Sequence, residues 1–190
     1  MAFIPRLTEY SPTDMHTSPL YNEWNAFEQI GHGLPNCTAF CWARAWEIYR
    51  PSNEYDNRPR FSMYDAGTWW GYTQDGYERG QIVKLGATAC WEDINGGAGH
   101  VATVEAIDYD RGIYTISNSA YQLYYFRTYT IDIATNYFSD QYRFQGFIYN
   151  PYADSGSDIP IEWASIIKRR KRNQGRIIRG LNLRIGDRND

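Results

Sequence analysis

Cys37 stands in a sequence context that suits covalent chemistry. It follows a loop-like stretch that includes Gly33 and Pro35, and apolar residues then recur at helical spacings of three and four over residues 37–48. These spacings predict a helix that begins at about Cys37, with Asn36 as its N-cap. A thiol at a helix start lies near unpaired N–H groups and the positive end of the helix dipole, which predicts a lowered pKa and a nucleophilic thiolate.

His100 and Asn118 are the candidate partners of this thiol. His100 opens a predicted strand directly after the glycine-rich residues 96–99, whereas the other two histidines, His16 and His32, lie in loop-like sequence. Asn118 ends the next predicted strand, which is expected to pair with the His100 strand. A cysteine at a helix start, a histidine on a strand and a polar orienter on the neighbouring strand form the arrangement of thiol amidohydrolases.

Each of these residue types also has a purely structural interpretation. A cysteine beside phenylalanine and tryptophan is typical of a small buried hydrophobe, and a single strand histidine is typical of a structural or solvated residue. Cys41 and Cys90 are interpreted in this way, as buried packing residues. The run Trp69-Trp70-Gly71-Tyr72 fits either core packing or the wall of a substrate groove, because Trp and Tyr offer flat apolar faces to sugar rings and peptide stems.

The elements that would position these residues predict an α+β domain. A chain of 190 residues with 43% hydrophobic residues can bury one core, and 17% aromatic residues favour a β-rich domain over a helical bundle. After the helix, strand patterns cover residues 86–91, 100–107, 112–118, 121–133 and 143–149. Helices first and strands afterwards, with short connections, indicate N-terminal helices packed on a mostly antiparallel sheet.

The two ends of the chain differ from this middle part. Residues 1–30 contain scattered prolines and serines, which predicts an extended N-terminal arm laid over the domain. Residues 1–163 carry 10 Lys and Arg against 20 Asp and Glu, a net charge of −10, whereas residues 164–190 carry 9 against 2, a net charge of +7. Residues 153–190 are therefore predicted to form a basic tail, and residues 164–190 of this tail are predicted to dock on another macromolecule. Nucleic acid is disfavoured as that partner, because no aromatic-interleaved groove is visible.

Composition also argues against several classes of protein. Three cysteines are too few for a disulfide framework, and the residues after Met1 lack the basic and apolar regions of a secretory signal. No apolar run approaches the roughly 18 residues of a membrane-spanning helix. We therefore expect no signal peptide and no membrane partner.

Short stretches spread over residues 4–151 resemble, in order, those of the CHAP domain, the cysteine- and histidine-dependent amidohydrolase/peptidase family, in the form carried by bacteriophages of Gram-positive hosts. The similar stretches are residues 4–8, 33–38, 42–44, 69–72, 84–87, 90–91, 99–105, 117–121 and 144–151. The resemblance implies a papain-like fold, with a catalytic domain over residues 31–152. It also implies hydrolysis of an amide bond of peptidoglycan, either between muramic acid and L-alanine or within the peptide stem or cross-bridge.

The resemblance also implies roles for individual residues. By position, Cys37 takes the family's nucleophile, His100 its general base and Asn118 its third residue. Many relatives carry Glu or Asp at the third position, so Asn118 can orient the imidazole but cannot stabilise its cation with a full charge.

Four residues in the similar stretches are the expected substrate-binding residues. They are Asn36, Trp69, Trp70 and Trp91. No metal or other cofactor is expected, because the Asp-x-Asp-x-Asp/Asn-Gly pattern of a calcium loop is missing from the sequence.

Two functions from different classes fit this resemblance. The first is a phage peptidoglycan hydrolase used for wall penetration or host lysis. The second is a virion structural or assembly protein that uses the domain to bind the wall without turnover. For the hydrolase, the expected partners are peptidoglycan and, through the basic tail, other virion proteins or anionic wall polymer. The expected location is the phage virion (its tail), or the host cytoplasm before release to the wall.

Overall fold

An antiparallel sheet forms the body of the protein in the computed structural model, which describes residues 3–48 and 58–153. Within these residues the sheet has six strands: β1 (Arg79–Gly80), β2 (Thr88–Asp93), β3 (His100–Asp108), β4 (Ile113–Ala120), β5 (Tyr124–Asp132) and β6 (Tyr142–Ile148). The strands lie in the order β1-β6-β2-β3-β4-β5, and every neighbouring pair is antiparallel. Strands β2 to β5 therefore form a meander, and β6 returns to pair with β2 on its other side.

Helix α1 (Cys37–Ile48) packs against β3 and β4. Asn36 caps its N-terminus, because the Asn36 Oδ1 accepts hydrogen bonds from the backbone N of Thr38 at 3.1 Å and from the Thr38 Oγ1 at 2.9 Å. The predicted helix start and N-cap are therefore confirmed. All of the helix except its last residue is buried, so its position is decided by packing on every side.

The α+β class predicted from the sequence is confirmed, with one correction to the number of helices. Residues 3–48 contain a single α-helix, and the segment before it forms only two 3-10 turns, Pro19–Tyr21 and Glu28–Ile30. The second turn ends at Gly31, whose φ of +81° lies in the left-handed region and stops a helix from continuing.

The five strand patterns of the sequence correspond to β2 to β6, with ends that differ by up to three residues. Strand β1 is not predicted from the sequence, because its two residues are too few to show an alternation of apolar and polar side chains. In the described parts of the chain, no helix combines the length and apolar character needed to cross a membrane. The basic tail lies in residues 154–190, outside the described residues, so the predicted division into arm, domain and tail stays a prediction.

A network of buried charges joins the N-terminal segment, helix α1 and the sheet. Arg6, Arg44, Glu47 and Glu105 are each at most 3% exposed. Arg44 lies between the two glutamates, with its Nη1 2.8 Å from Glu47 Oε2 and its Nη2 2.8 Å from Glu105 Oε2. Arg6 Nη2 lies 2.6 Å from Glu47 Oε1. Two positive and two negative charges balance one another, so no buried charge of the four is left without an opposite partner.

Hydrogen bonds extend this network into the backbone. Glu105 accepts one from the backbone N of Arg6 at 2.7 Å and one from the Ser117 Oγ on β4 at 2.6 Å. Burial alone would raise the pKa of Glu47, but the hydrogen bond and charge of Arg6 and the charge of Arg44 lower it below its usual range. The charged form of Glu47 is therefore the stable one inside the protein.

The first prediction is that Arg44→Met destabilises the fold by about 3–5 kcal/mol, because it leaves buried carboxylates without their cation. Urea unfolding followed by circular dichroism measures this loss. Arg111→Gln is the matched control, since the Arg111 side chain is 75% exposed and its Nε is 4.0 Å from Asp108 Oδ2. An Arg44→Met variant as stable as Arg111→Gln would contradict the structural role of the network.

Candidate active site

Cys37 and His100 line the same cavity, which has a volume of about 600 Å³. Helix α1 contributes Cys37 as its first residue, and strand β3 contributes His100 as its first residue. Gly99, just before the histidine, has a φ of +75°, and a Cβ there would come within 2.6 Å of the backbone N of Gly67. Glycine therefore permits the close approach of the β3 start to the neighbouring 3-10 turn Ala66–Thr68, as the sequence predicts for this run.

The Cys37 thiol is buried, and its pKa shifts in the direction opposite to the predicted one. Cys37 is 9% exposed. Burial raises the pKa of Cys37 to about 11, and backbone N–H groups near the sulfur, including that of Val101, lower it only in part. The helix start is present as predicted, but desolvation of the thiolate outweighs it, so the side chain is a neutral thiol at pH 7.

Aromatic rings enclose the imidazole of His100, which is 5% exposed. The ring stacks on Phe138 with centroids 4.9 Å apart and an interplanar angle of 4°, and Trp91 and Tyr142 lie at 6.3 and 5.8 Å. Burial lowers the pKa of His100 to about 4, and a hydrogen bond with the Asn118 side chain opposes that shift. The imidazole is therefore neutral at pH 7 and free to accept a proton.

Strand β4 places Asn118 beside this ring. Thr103 on β3 pairs with Ser117 on β4, so the next pair sets Asn118 opposite Ala102, on the face of the sheet that carries His100. The Nε2 of His100 has no hydrogen-bond partner among the described residues, so we assign the interaction with Asn118 to the Nδ1. With its proton on Nδ1, the imidazole keeps a lone pair on Nε2.

The structure brings the three predicted catalytic residues together but does not join Cys37 to His100 by a hydrogen bond. The His100 Nε2 is buried without a partner in the described part of the chain, and the Cys37 thiol instead meets the backbone of Val101, the next residue after His100. Catalytic hydrogen bonds are often long or open before substrate binds, so the open geometry does not exclude the pair.

The expected substrate-binding residues are only partly placed at the cavity. Asn36 lines it, but Trp69, Trp70 and Trp91 do not. Trp69 and Trp91 are fully buried, and Trp69 stacks on Phe61 with ring centroids 4.5 Å apart. Trp69 and Trp91 therefore belong to the core rather than to a groove wall, because a large aromatic side chain gains most by burial. Trp70 is partly buried against the same core, and its substrate-binding role stays a prediction.

Exposed apolar residues that the sequence analysis did not single out line the cavity instead. Met63 and Tyr64 come from the loop before the Ala66–Thr68 turn, whereas Tyr121 and Leu123 come from the β4–β5 hairpin. Tyr64 is 77% exposed and Leu123 is 80% exposed. The strand pattern over residues 121–133 covers Tyr121 and Leu123, and the loop around Tyr64 has no periodic pattern, so no sequence signal marks these residues as part of a cavity. The nearest signal is the high tyrosine content of the chain, 17 residues.

The charged carboxylates of the cavity lining are Asp65 and Asp93, and the lining includes no Lys or Arg. The Asp65 charge contributes to the raised pKa of Cys37, after burial. Asp93 accepts a hydrogen bond from the Gln141 Nε2 at 2.6 Å, which lowers the pKa of that carboxylate. Within residues 3–48 and 58–153, no group of three or more His, Cys, Asp or Glu side chains is arranged to hold a metal ion.

Comparison with known proteins identifies one family. Residues 28–119 match the family model of the CHAP domain, a range that includes Cys37, His100 and Asn118. No curated protein and no solved structure gives a significant match to the chain. The family match, together with an α+β fold consistent with it, supports a CHAP domain in this part of the chain, and CHAP domains are typically cysteine- and histidine-dependent amidohydrolases or peptidases of peptidoglycan.

Proposed function

We propose that this protein hydrolyses an amide bond of bacterial peptidoglycan, with Cys37 as nucleophile, His100 as general base and Asn118 as the residue that orients the imidazole. The bond is that of a muramoyl-L-alanine amidase or of a stem or cross-bridge endopeptidase. The observation that carries the proposal is the shared cavity. A thiol at a helix start and an imidazole with a free Nε2 line it, and an amide holds the other ring nitrogen.

The reaction follows from these groups. As the Cys37 sulfur attacks the scissile carbonyl carbon, the thiol proton passes to His100 Nε2, and the carbonyl oxygen becomes an oxyanion. The Thr38 N–H already bonds to Asn36 Oδ1, which leaves the Cys37 N–H as the donor at the helix start that can stabilise this oxyanion. Collapse of the adduct breaks the C–N bond, and His100 returns its proton to the leaving amine. Water, deprotonated by His100, then releases the acyl group from the thioester.

The pKa values decide when the first proton moves. With the pKa of Cys37 at about 11 and that of His100 at about 4, the resting pair at pH 7 is thiol and neutral imidazole. Proton transfer before attack is unfavourable, so it accompanies attack. A neutral orienter suits this sequence of events, because Asn118 has no persistent imidazolium to stabilise.

We further propose that a phage uses this activity, either in the virion for wall penetration or as an endolysin for host lysis. In the virion setting, the basic residues 164–190 would attach the protein to other virion components. Mass spectrometry of purified particles separates the two settings. Mass analysis of fragments released from purified walls identifies the bond that is cleaved.

The second candidate function is wall binding by a virion structural protein without turnover. The raised pKa of Cys37 is the observation that favours it, since a neutral thiol is the weaker nucleophile. Zymography on host walls decides between the two, because a cleared zone requires turnover.

The second prediction is that Cys37→Ala or His100→Ala lowers wall hydrolysis by at least about 10³-fold, because each removes a group that bonds to, or exchanges a proton with, the reacting atoms. Release of soluble fragments from purified peptidoglycan measures the rate. Cys41→Ala and Cys90→Ala are the controls, since both thiols are fully buried away from the cavity lining. Thiol alkylation should inactivate the enzyme and EDTA should not. A folded Cys37→Ala variant with substantial activity would disprove the nucleophile assignment.

The third prediction concerns the protonation state of Cys37. The rate of its alkylation by iodoacetamide should keep rising with pH past pH 9, because the thiolate fraction grows until the pH reaches the pKa of about 11. Mass spectrometry of the modified Cys37 peptide gives the rate at each pH. A plateau below pH 8 would instead show a thiolate–imidazolium pair in the resting enzyme.

The fourth prediction is that Tyr64→Ala and Tyr121→Ala each raise KM for soluble peptidoglycan fragments about three- to tenfold, with kcat nearly unchanged. The reason is that both exposed rings line the cavity and offer apolar faces to the substrate. Tyr137→Ala is the matched control, because Tyr137 is 56% exposed and lies outside the cavity lining. Unchanged KM in both variants would remove these residues from the substrate site.

A further inference from the structure

The amide of Asn118 is bonded at both ends inside the protein. Asn118 is fully buried. Its Nδ2 donates to the backbone O of Arg127 at 3.2 Å, and its Oδ1 accepts from the phenolic OH of Tyr124 at 2.8 Å. Both partners belong to β5, the strand at the edge of the sheet beside β4.

These two bonds allow only one orientation of the amide. The Arg127 carbonyl can only accept a hydrogen bond, so it requires the Nδ2 of Asn118 and excludes the Oδ1. The Tyr124 hydroxyl then donates to the Oδ1 from the other end. A reversed amide would set two oxygens against each other at Arg127 in a buried position, which is costly.

Tyr124 is suited to act as a permanent donor. Burial raises the pKa of Tyr124, and a hydrogen bond with Tyr129 and the nearby Cys37 raise it further. The phenol is therefore protonated throughout the pH range in which a cysteine–histidine hydrolase works. The guanidinium carbon of Arg127 lies 4.3 Å from the centroid of the Tyr124 ring and helps to hold the ring in place.

We propose that Tyr124 is a positioning residue for the hydrolysis, acting through Asn118: its hydroxyl holds the amide so that the Oδ1 is presented to the Nδ1 of His100. The proposal rests on the hydrolase function proposed above. Tyr124 touches neither the substrate nor the reacting atoms in this role. Together with the Arg127 carbonyl, which excludes a reversed amide, it decides which nitrogen of His100 carries the proton.

The orientation matters because the two tautomers of His100 differ in function. When the Asn118 oxygen faces Nδ1, the ring must donate from Nδ1, and Nε2 keeps the lone pair that accepts the Cys37 proton. When the NH₂ group faces Nδ1, the proton moves to Nε2 and the base is lost. The two tautomers differ in whether a proton is bound to Nε2, which is buried and has no partner in the described residues.

The experiment is the Tyr124→Phe variant, which removes one oxygen and keeps the ring. We expect kcat to fall roughly three- to tenfold with KM unchanged, the size of one neutral hydrogen bond. We also expect the ¹⁵N spectrum of the His100 imidazole at pH 7 to show a shift from the Nδ1–H tautomer toward the Nε2–H tautomer. The chain has only three histidines, so His100→Gln assigns the signals.

Tyr114→Phe is the matched control, because the Tyr114 OH also donates to the Oδ1 of an asparagine, that of Asn136, at 3.1 Å. It breaks the same type of bond, and should leave the His100 tautomer and kcat unchanged. In an Asn118→Ala background, Tyr124→Phe should have no further effect on kcat, because the amide through which Tyr124 acts on the imidazole has already been removed.

The results for the wild-type protein test the hydrolase function, and the results for Tyr124→Phe test the positioning role of Tyr124. If the wild-type protein hydrolyses peptidoglycan but Tyr124→Phe keeps the wild-type tautomer and kcat, Tyr124 has no positioning role. The same conclusion holds if Tyr124→Phe lowers kcat equally in the Asn118→Ala background. If the wild-type protein shows no hydrolysis, the proposed function itself fails, whatever the tautomer of His100.

Discussion

Pairing of buried charge is the constraint on which the rest of this structure depends. Arg44 and Glu47 lie on the helix that begins with Cys37, and Glu105 lies on the strand that begins with His100. An unpaired charge in the interior costs several kcal/mol, so helix and strand must dock in the one arrangement that pairs all four charges. The positions of Cys37 and His100 therefore depend on charge pairs that lie about two to three helical turns beyond Cys37 and five residues beyond His100. Arg6 adds the N-terminal segment to the same arrangement through its bond to Glu47.

The burial that stabilises the fold also determines the electrostatics of the site. The Cys37 thiol and the His100 imidazole both lie in a poorly solvated region, and burial favours the neutral form of each. The charge of Asp65 at the cavity opposes a thiolate further. The proposed pair of Cys37 and His100 is thus neutral at rest, and its proposed orienter Asn118 is also neutral. Hydrogen bonds rather than charges therefore hold the imidazole in position.

The floor of the cavity is formed by regular secondary structure, and its walls are formed by irregular segments. The proposed catalytic groups belong to the first residues of α1 and β3 and to β4, elements with many backbone hydrogen bonds. Its exposed side chains come from the loop around Tyr64 and from the hairpin around Tyr121. The backbone N of Gln122 donates to the O of Pro35 at 3.3 Å, which fastens the hairpin tip to the loop that leads into Cys37. Recognition is therefore placed on segments that can differ in sequence without disturbing the catalytic framework.

The local features of this protein could be determined from the sequence alone. The α1 start, the Asn36 cap and five of the strands depend on contacts between residues close in the chain, and periodicity records those contacts. The pairing of the His100 strand with the Asn118 strand follows from the short connection between them. The tertiary structure alone decided what each side chain is buried against. It raised the pKa of Cys37 where the helix start predicted a decrease, and it placed Trp69 and Trp91 in the core instead of the cavity. Desolvation, charge pairing and aromatic packing depend on neighbours that lie far away in the chain, and no local pattern carries that information.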